Sequence, residues 1–154
     1  MQNNKNIPLV SAELSGLWNS YMGNTLAVCV LKYFVNRVDD NDTRSILQHT
    51  LDLSNEYVKE LTNLFTQEAL PIPVGFNDTD VDVNATRLFT DEFYLFYLTN
   101  MSRVEMLNYT QILSNCARTD IRTFFTKLIS DSSDLIRKYF HSKYRHGYVR
   151  NFEK

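Results

Sequence analysis

The sequence predicts an all-α protein, four long helices in one bundle with a single long crossover between the second and the third. Three observations predict it. Four segments, about 11–38, 42–69, 90–116 and 119–141, repeat apolar residues at three- and four-residue intervals, which gathers them on one helix face. Within each pair of segments the link is only a few residues, which makes antiparallel hairpins. Between the pairs lies Leu70–Glu92, polar, with Pro71, Pro73 and Gly75 and no sustained helical period.

A chain of 154 residues is about one domain, and 13% aromatics, with Phe 10 and Tyr 9, can fill a tight core. A net charge of -2 with 22% charged residues excludes a generally basic nucleic-acid binder and an acidic disordered chain. No segment reaches the roughly 18 uninterrupted apolar residues of a membrane helix, and residues 1–10 lack a signal-length apolar run. The expectation is a cytoplasmic protein with no membrane and no nucleic acid among its partners. Cys29 and Cys116 stand on different helices without metal-ligand spacing and read as two small buried thiols.

Residues 1–10 read as a loose arm ended by Pro8. Helix 1 is expected to start at Ser11 as its cap, with Glu13 in the first turn. Its stripe is Leu14, Leu17, Trp18, Tyr21, Val28, Leu31 and Val35. Gly16, Gly23 and Ala27 form a small face, and each helix-interior glycine costs about 1 kcal/mol. Close approach of another helix, within the bundle or across a dimer, would explain them and makes these three the interface candidates; glycines tolerated at the surface are the other reading. Helix 2 repeats Leu47, Leu51, Ser54, Val58, Leu61 and Phe65 opposite a wet face of Gln48, Asp52, Asn55, Glu56, Lys59 and Asn63. Helix 3 has Thr90 as its cap and Phe89 placed to staple against Tyr94. It carries Phe93, Tyr94, Tyr97, Leu98, Met101, Val104, Leu107, Ile112 and Leu113. Thr119 and Asp120 signal the start of helix 4, whose stripe is Ile121, Phe124, Phe125, Leu128, Ser132, Leu135, Ile136 and Tyr139.

A linker of about twenty residues is far longer than the four to six typical of a compact domain. If helix 3 ran antiparallel to helix 2, most of it would be unnecessary. If helix 3 runs parallel to helix 2, the link must travel about 40 Å, which about 12 extended residues can span. That is the single-crossover topology of ferritin-like bundles. Ile72, Val74, Phe76, Val81, Val83 and Leu88 are then expected to lie against the bundle. The same topology puts the cysteines roughly 25 Å apart, too far for a disulfide within one chain.

Ferritin-like bundles are known for a carboxylate-bridged di-iron centre, built from one Glu on each of two helices and a Glu-x-x-His on each of the others. No Glu-x-x-His occurs here. His49 lies on the polar side of helix 2, and His141 and His146 lie near the C-terminus. The mid-helix carboxylates Glu56, Glu105 and Asp131 are weak metal candidates. Glu105 is expected to be exposed, or held by Arg103 or a Tyr hydroxyl, because an unpartnered buried carboxylate is costly. No phosphate loop, nucleophile elbow, HExxH or CxxC is present, so no catalytic residue and no cofactor is assigned. Residues 142–154 interleave Lys143, Arg145, Arg150 and Lys154 with Tyr144, Tyr148 and Phe152. They read as a basic aromatic tail that packs on the bundle or docks a partner, rather than one that binds nucleic acid or an anionic surface.

The run Pro71–Phe76 (PIPVGF), followed by Arg87, Phe89 and Asp91, resembles the crossover of a domain-of-unknown-function family of endospore-forming bacteria. Leu9–Glu13 (LVSAE), Cys29–Phe34 (CVLKYF) and Ala117–Arg122 (ARTDIR) agree with it, over roughly residues 8–140. The resemblance implies a ferritin-like bundle, often present as two tandem copies, with some members labelled spore-coat proteins and no established catalytic residues. It implies a non-enzymatic structural or assembly role, a homo-oligomer or protein partner in place of the second copy, and the spore coat as a location. A metal-binding oxidoreductase with unconventional ligands is the alternative, and a small-ligand binder with a Tyr-rich pocket is a third reading.

Overall fold

Each of the four periodic segments is a helix. A computed structural model describes residues 7–147. It contains α1 (Ser11–Arg37), α2 (Asn41–Gln67), α3 (Asp91–Ser114) and α4 (Thr119–Arg145), with a short 3-10 turn at Asp78–Asp80. Helix ends match the sequence-based boundaries to within two residues except at the end of α4, which continues to Arg145. The extra turn is docked: Ser142 is buried and Arg145 reaches Asp42 at 3.3 Å. Thus 142–145 belong to the bundle, and 148–154 of the expected tail lie outside the described residues.

α1 and α2 pack as one hairpin, α3 and α4 as the other. The crossover direction is fixed at both ends. Asp91, at the start of α3, accepts the amides of Asp39 (3.3 Å) and Asp40 (2.9 Å) at the start of α2. α2 and α3 therefore run parallel, as the linker length requires. The linker is held only in part by its apolar residues: Val81 packs on the core and Val83 is half-buried, but Ile72, Val74, Phe76 and Leu88 are exposed. Instead α1 grips its backbone. Thr25 Oγ1 accepts the Phe76 amide, Asn36 and Arg37 donate to the Val83 carbonyl, and Tyr33 Oη donates to the Thr86 carbonyl while accepting the Leu88 amide. Gly75 makes this grip possible, since a Cβ there would stand 2.6 Å from Thr25 Oγ1. An extended segment leaves backbone groups that need partners, and α1 supplies them.

Ser11 is not a cap. Val10 holds that position without a side-chain bond, and Glu13 takes over the work of capping. Fully buried, its Oε2 accepts the Val10 amide at 2.9 Å and its Oε1 accepts the amides of Ala117 and Arg118, both at 2.8 Å. One carboxylate thereby satisfies free amides at the starts of both α1 and α4, where helix dipoles also favour negative charge. Thr119 does not cap α4 for the same reason; Arg118 is the cap residue. Buried Arg118 in turn joins Glu68 (2.8 Å) and Asp120 (2.7 Å). Those bonds, Asp120 first, hold its guanidinium firmly charged. Thr90 does cap α3, accepting the Phe93 amide, and Phe89 does pack against Tyr94, with ring centroids 6.3 Å apart.

The core has two apolar halves. Leu31, Phe34, Leu47, Leu51, Tyr94 and Leu98 fill one. Leu17, Leu61, Phe65, Ile121, Phe125 and Leu128 fill the other.

Candidate functional site: the polar waist and the α1–α3 groove

Between the two apolar halves the bundle is polar. Ser20 and Asn24 on α1, Thr50, Ser54 and Tyr57 on α2, Ser102 and Tyr109 on α3, and Ser132 and Tyr139 on α4 are all buried there. Their bonds cross the bundle. Asn24 Nδ2 donates to the Ser20 carbonyl (2.8 Å) and to Tyr109 Oη (3.3 Å). Tyr139 and Thr50 hydroxyls meet at 2.7 Å, and Tyr57 Oη donates to Asp131 at 2.6 Å. Burial, together with the Asp131 bond and charge, keeps the Tyr57 phenol protonated far above its ordinary range. Burial likewise pushes Tyr139 up to about 12.

The waist reaches the surface on two opposite sides with different chemistry. Between α2 and α4, Lys127 Nζ binds Glu56 at 2.8 Å and Glu60 at 2.5 Å. Partial desolvation works against the Lys127 charge, but the two carboxylates outweigh it and raise its pKa. The Lys127 bond holds Glu56 below the usual carboxylate range. Between α1 and α3, a groove of about 390 Å³ opens beside Glu105. Arg103 does not hold this carboxylate; its guanidinium lies over the Phe140 ring at 5.1 Å. The Glu105 side chain reaches solvent through the groove, while surrounding protein crowds its carboxyl. Burial alone pushes its pKa up to about 7.

The sequence-based candidates are therefore divided. Glu56 and Asp131 belong to the α2–α4 seam and are each held by a protein partner. Glu105 belongs to the groove on the other side. The described residues contain no group of three or more His, Cys, Asp or Glu able to share a metal ion. Of the interface candidates, Gly16 serves an approach within the chain: a Cβ would stand 2.4 Å from Ile112 Cγ2. Gly23 lies open at the groove, with nothing within 4 Å of a built Cβ. Ala27 packs on the apolar half around Leu31. Ser20 and Asn24 were missed, although a signal existed: polar residues at i and i+4 interrupt the inward face of α1. Both cysteines are buried free thiols; Cys29 Sγ donates to the Asn77 carbonyl and Cys116 Sγ to the Ile112 carbonyl. No described helix is long and apolar enough to cross a membrane.

The chain belongs to the DUF3231 family, described as a protein of unknown function, whose profile matches residues 1–151. No curated protein matches it. A crystal structure described as a putative spore coat protein from Bacillus halodurans C-125 superposes with a TM-score of 0.85 at 16% identity, covering 97% of each chain. A conserved hypothetical protein from Mycobacterium tuberculosis superposes with a TM-score of 0.71 at 9% identity, covering 86% of this chain and 97% of the other. At these identities the likeness is one of fold. Both solved chains are matched over 97% of their length, so each is a single bundle without a tandem copy.

Proposed function

We propose that this protein is a non-enzymatic, ferritin-like bundle that works by packing α3 against a second copy, as a building unit of a layered assembly such as a spore coat. One observation carries the reading. The outer face of α3 bears Phe93, Phe96, Val104 and Leu107 at helical spacing, and these side chains are 39%, 56%, 51% and 68% exposed. α2 has no exposed large apolar side chain and α1 has three, Leu14, Trp18 and Leu26, so α3 exposes the most of the three. Contiguous exposed apolar residues rimmed by polar ones mark interaction sites. Here the rim is basic: Arg103 lies over Phe140, and Lys143 lies 5.9 Å over the Phe96 ring. The spore-coat description of a protein with the same fold supports an assembly role. The division of Glu56 and Asp131 from Glu105 gives a metal-dependent oxidoreductase no ligand set among the described residues to rest on.

In this reading the protein acts in the cytoplasm that builds the coat or within the coat itself. Sedimentation velocity over a concentration series tests it. The wild type should associate, and Phe96→Lys with Leu107→Lys should return it to monomer with unchanged helicity. A wild type that stays monomeric at every concentration ends the proposal.

A further inference from the structure

The crossover strap carries an apolar surface that the bundle does not use. Between residues 72 and 76 burial alternates with a period of two, as in an extended segment. Pro73 is buried, and Gly75 faces inward, where a Cβ would meet Thr25 and Tyr21. Ile72, Val74 and Phe76 face outward and are 44%, 91% and 41% exposed. Contiguous exposed apolar side chains of this kind mark a contact surface. Its border is acidic. Asp78, Asp80 and Asp82 follow directly and are all exposed, and Lys32 pairs with Asp78 alone.

The strap and the α3 stripe are alike in being apolar and opposite in the charge of their borders. Arg103 and Lys143 flank the stripe, each over an aromatic ring. Pairing α3 with α3 about a two-fold axis puts the same flanks together, so these cations of one copy face those of the other. Pairing α3 with the strap sets them against Asp78, Asp80 and Asp82 instead. Complementary borders of this kind select one docking mode over another. The two surfaces also lie on different sides of the molecule. The strap crosses the α1–α2 seam, where Phe76 and Asn77 share a cleft with Cys29 on α1 and Val58 on α2. α3 packs on α4 and α1, with its stripe turned to solvent. A contact between unlike surfaces on different sides is heterologous and does not close after two copies. We propose that α3 of one copy docks on the crossover strap of the next, so that copies add head to tail. This contact rests on the assembly reading and gives it a direction: it repeats instead of closing, as a layer requires.

The test uses the full chain in two variants. Phe96→Lys with Leu107→Lys blocks α3 and leaves the strap intact. Val74→Lys with Asp82→Asn blocks the strap and leaves α3 intact. Val74 is 91% exposed, and an asparagine at 82 can still accept the Asn84 amide, so the strap keeps its shape. In sedimentation velocity the wild type should grow past a dimer with concentration. Each variant alone should associate at least about tenfold more weakly. Mixed in equal amounts they should form a one-to-one heterodimer and nothing larger, because one intact α3 then meets one intact strap. That heterodimer should weaken as salt rises. With ¹⁵N on the α3 variant, amide shifts in the mixture should centre on residues 72–82. If the α3 variant does not fold, Arg103→Glu with Lys143→Glu takes its place. A strap variant that associates as the wild type does would mean that α3 pairs with α3; the head-to-tail contact falls and the assembly reading stands. A mixture that stays monomeric also overturns the contact. A wild type that is monomeric at every concentration overturns both.

Discussion

The two exposed seams of this bundle are built from helices of similar length and opposite character. α2 and α4 segregate their residues: apolar side chains face inward, charges face outward, and the seam between them is bridged by Lys127, Glu56, Glu60 and the Tyr57–Asp131 bond. Tyr144 is the only large apolar side chain that α4 exposes among the described residues. α1 and α3 do not segregate. Leu14, Trp18 and Leu26 on α1 and four residues on α3 are exposed, and the seam between them holds a carboxyl without a counter-charge. A helix that is apolar on more than its core face is carrying a second surface. The α2–α4 side is finished by solvent; the α1–α3 side is not.

If the α1–α3 seam is set by one close helix approach, the largest effect comes from closing that approach. Gly16→Leu forces side-chain atoms into Ile112 and should cost about 3 kcal/mol in urea unfolding. The double variant Gly16→Leu with Ile112→Ala should recover part of that loss; no recovery would mean the clash lies elsewhere. Next in size is Glu105→Gln. The folded pKa of Glu105 is raised to about 7, so the fold favours the neutral carboxyl. Its contribution is complete below the unfolded value of about 4.3 and is lost as pH rises through about 7. At about pH 8 the Gln variant should therefore exceed the wild type by about 2 kcal/mol, a figure reduced for partial exposure, and at about pH 4 the two should coincide. Parallel stability–pH curves would show that the carboxyl is solvated after all.

What the sequence made legible follows from how local each signal is. Helix periods and the cap at Thr90 depend on near neighbours, and the crossover follows from counting residues against helix length. Glu13 could not be read that way, because its partners Ala117 and Arg118 are more than a hundred positions away. The α3 stripe failed for a different reason. Phe93, Val104 and Leu107 were grouped with Tyr94 and Leu98, but a helix apolar around most of its circumference has no phase to say which side is buried. Glu105, expected to be exposed or held by Arg103 or a Tyr hydroxyl, is half-buried beside the groove instead. Its lack of a partner could not be foreseen, since Arg103 is turned to Phe140 by a contact between helices.

Within the open seam, a glycine that meets nothing should behave unlike one that meets Ile112. Gly23→Ala adds a methyl to empty space in a helix interior. It should stabilise the protein by about 0.5–1 kcal/mol through helix propensity alone. A destabilisation measured by thermal or urea unfolding would mean that the groove is narrower in solution.

The smallest effect belongs on the bridged side. Lys127 bridges Glu56 and Glu60 and lies 5.7 Å over the Tyr57 ring, yet its side chain is 40% exposed and that of Glu56 is 53% exposed. Exposed ion pairs contribute little, because water screens the attraction and ordering two long side chains costs entropy. Lys127→Ala should therefore cost less than about 0.5 kcal/mol in low salt, and the difference should shrink further in high salt. Removing the lysine leaves Glu56 and Glu60 able to turn into solvent, so no buried charge is stranded. A salt-insensitive loss above about 1 kcal/mol would show that Lys127 packs on Tyr57 as part of the waist. The α2–α4 seam would then be a structural polar core rather than a solvated surface, and the contrast between the two sides would have to rest on the unpaired Glu105 alone.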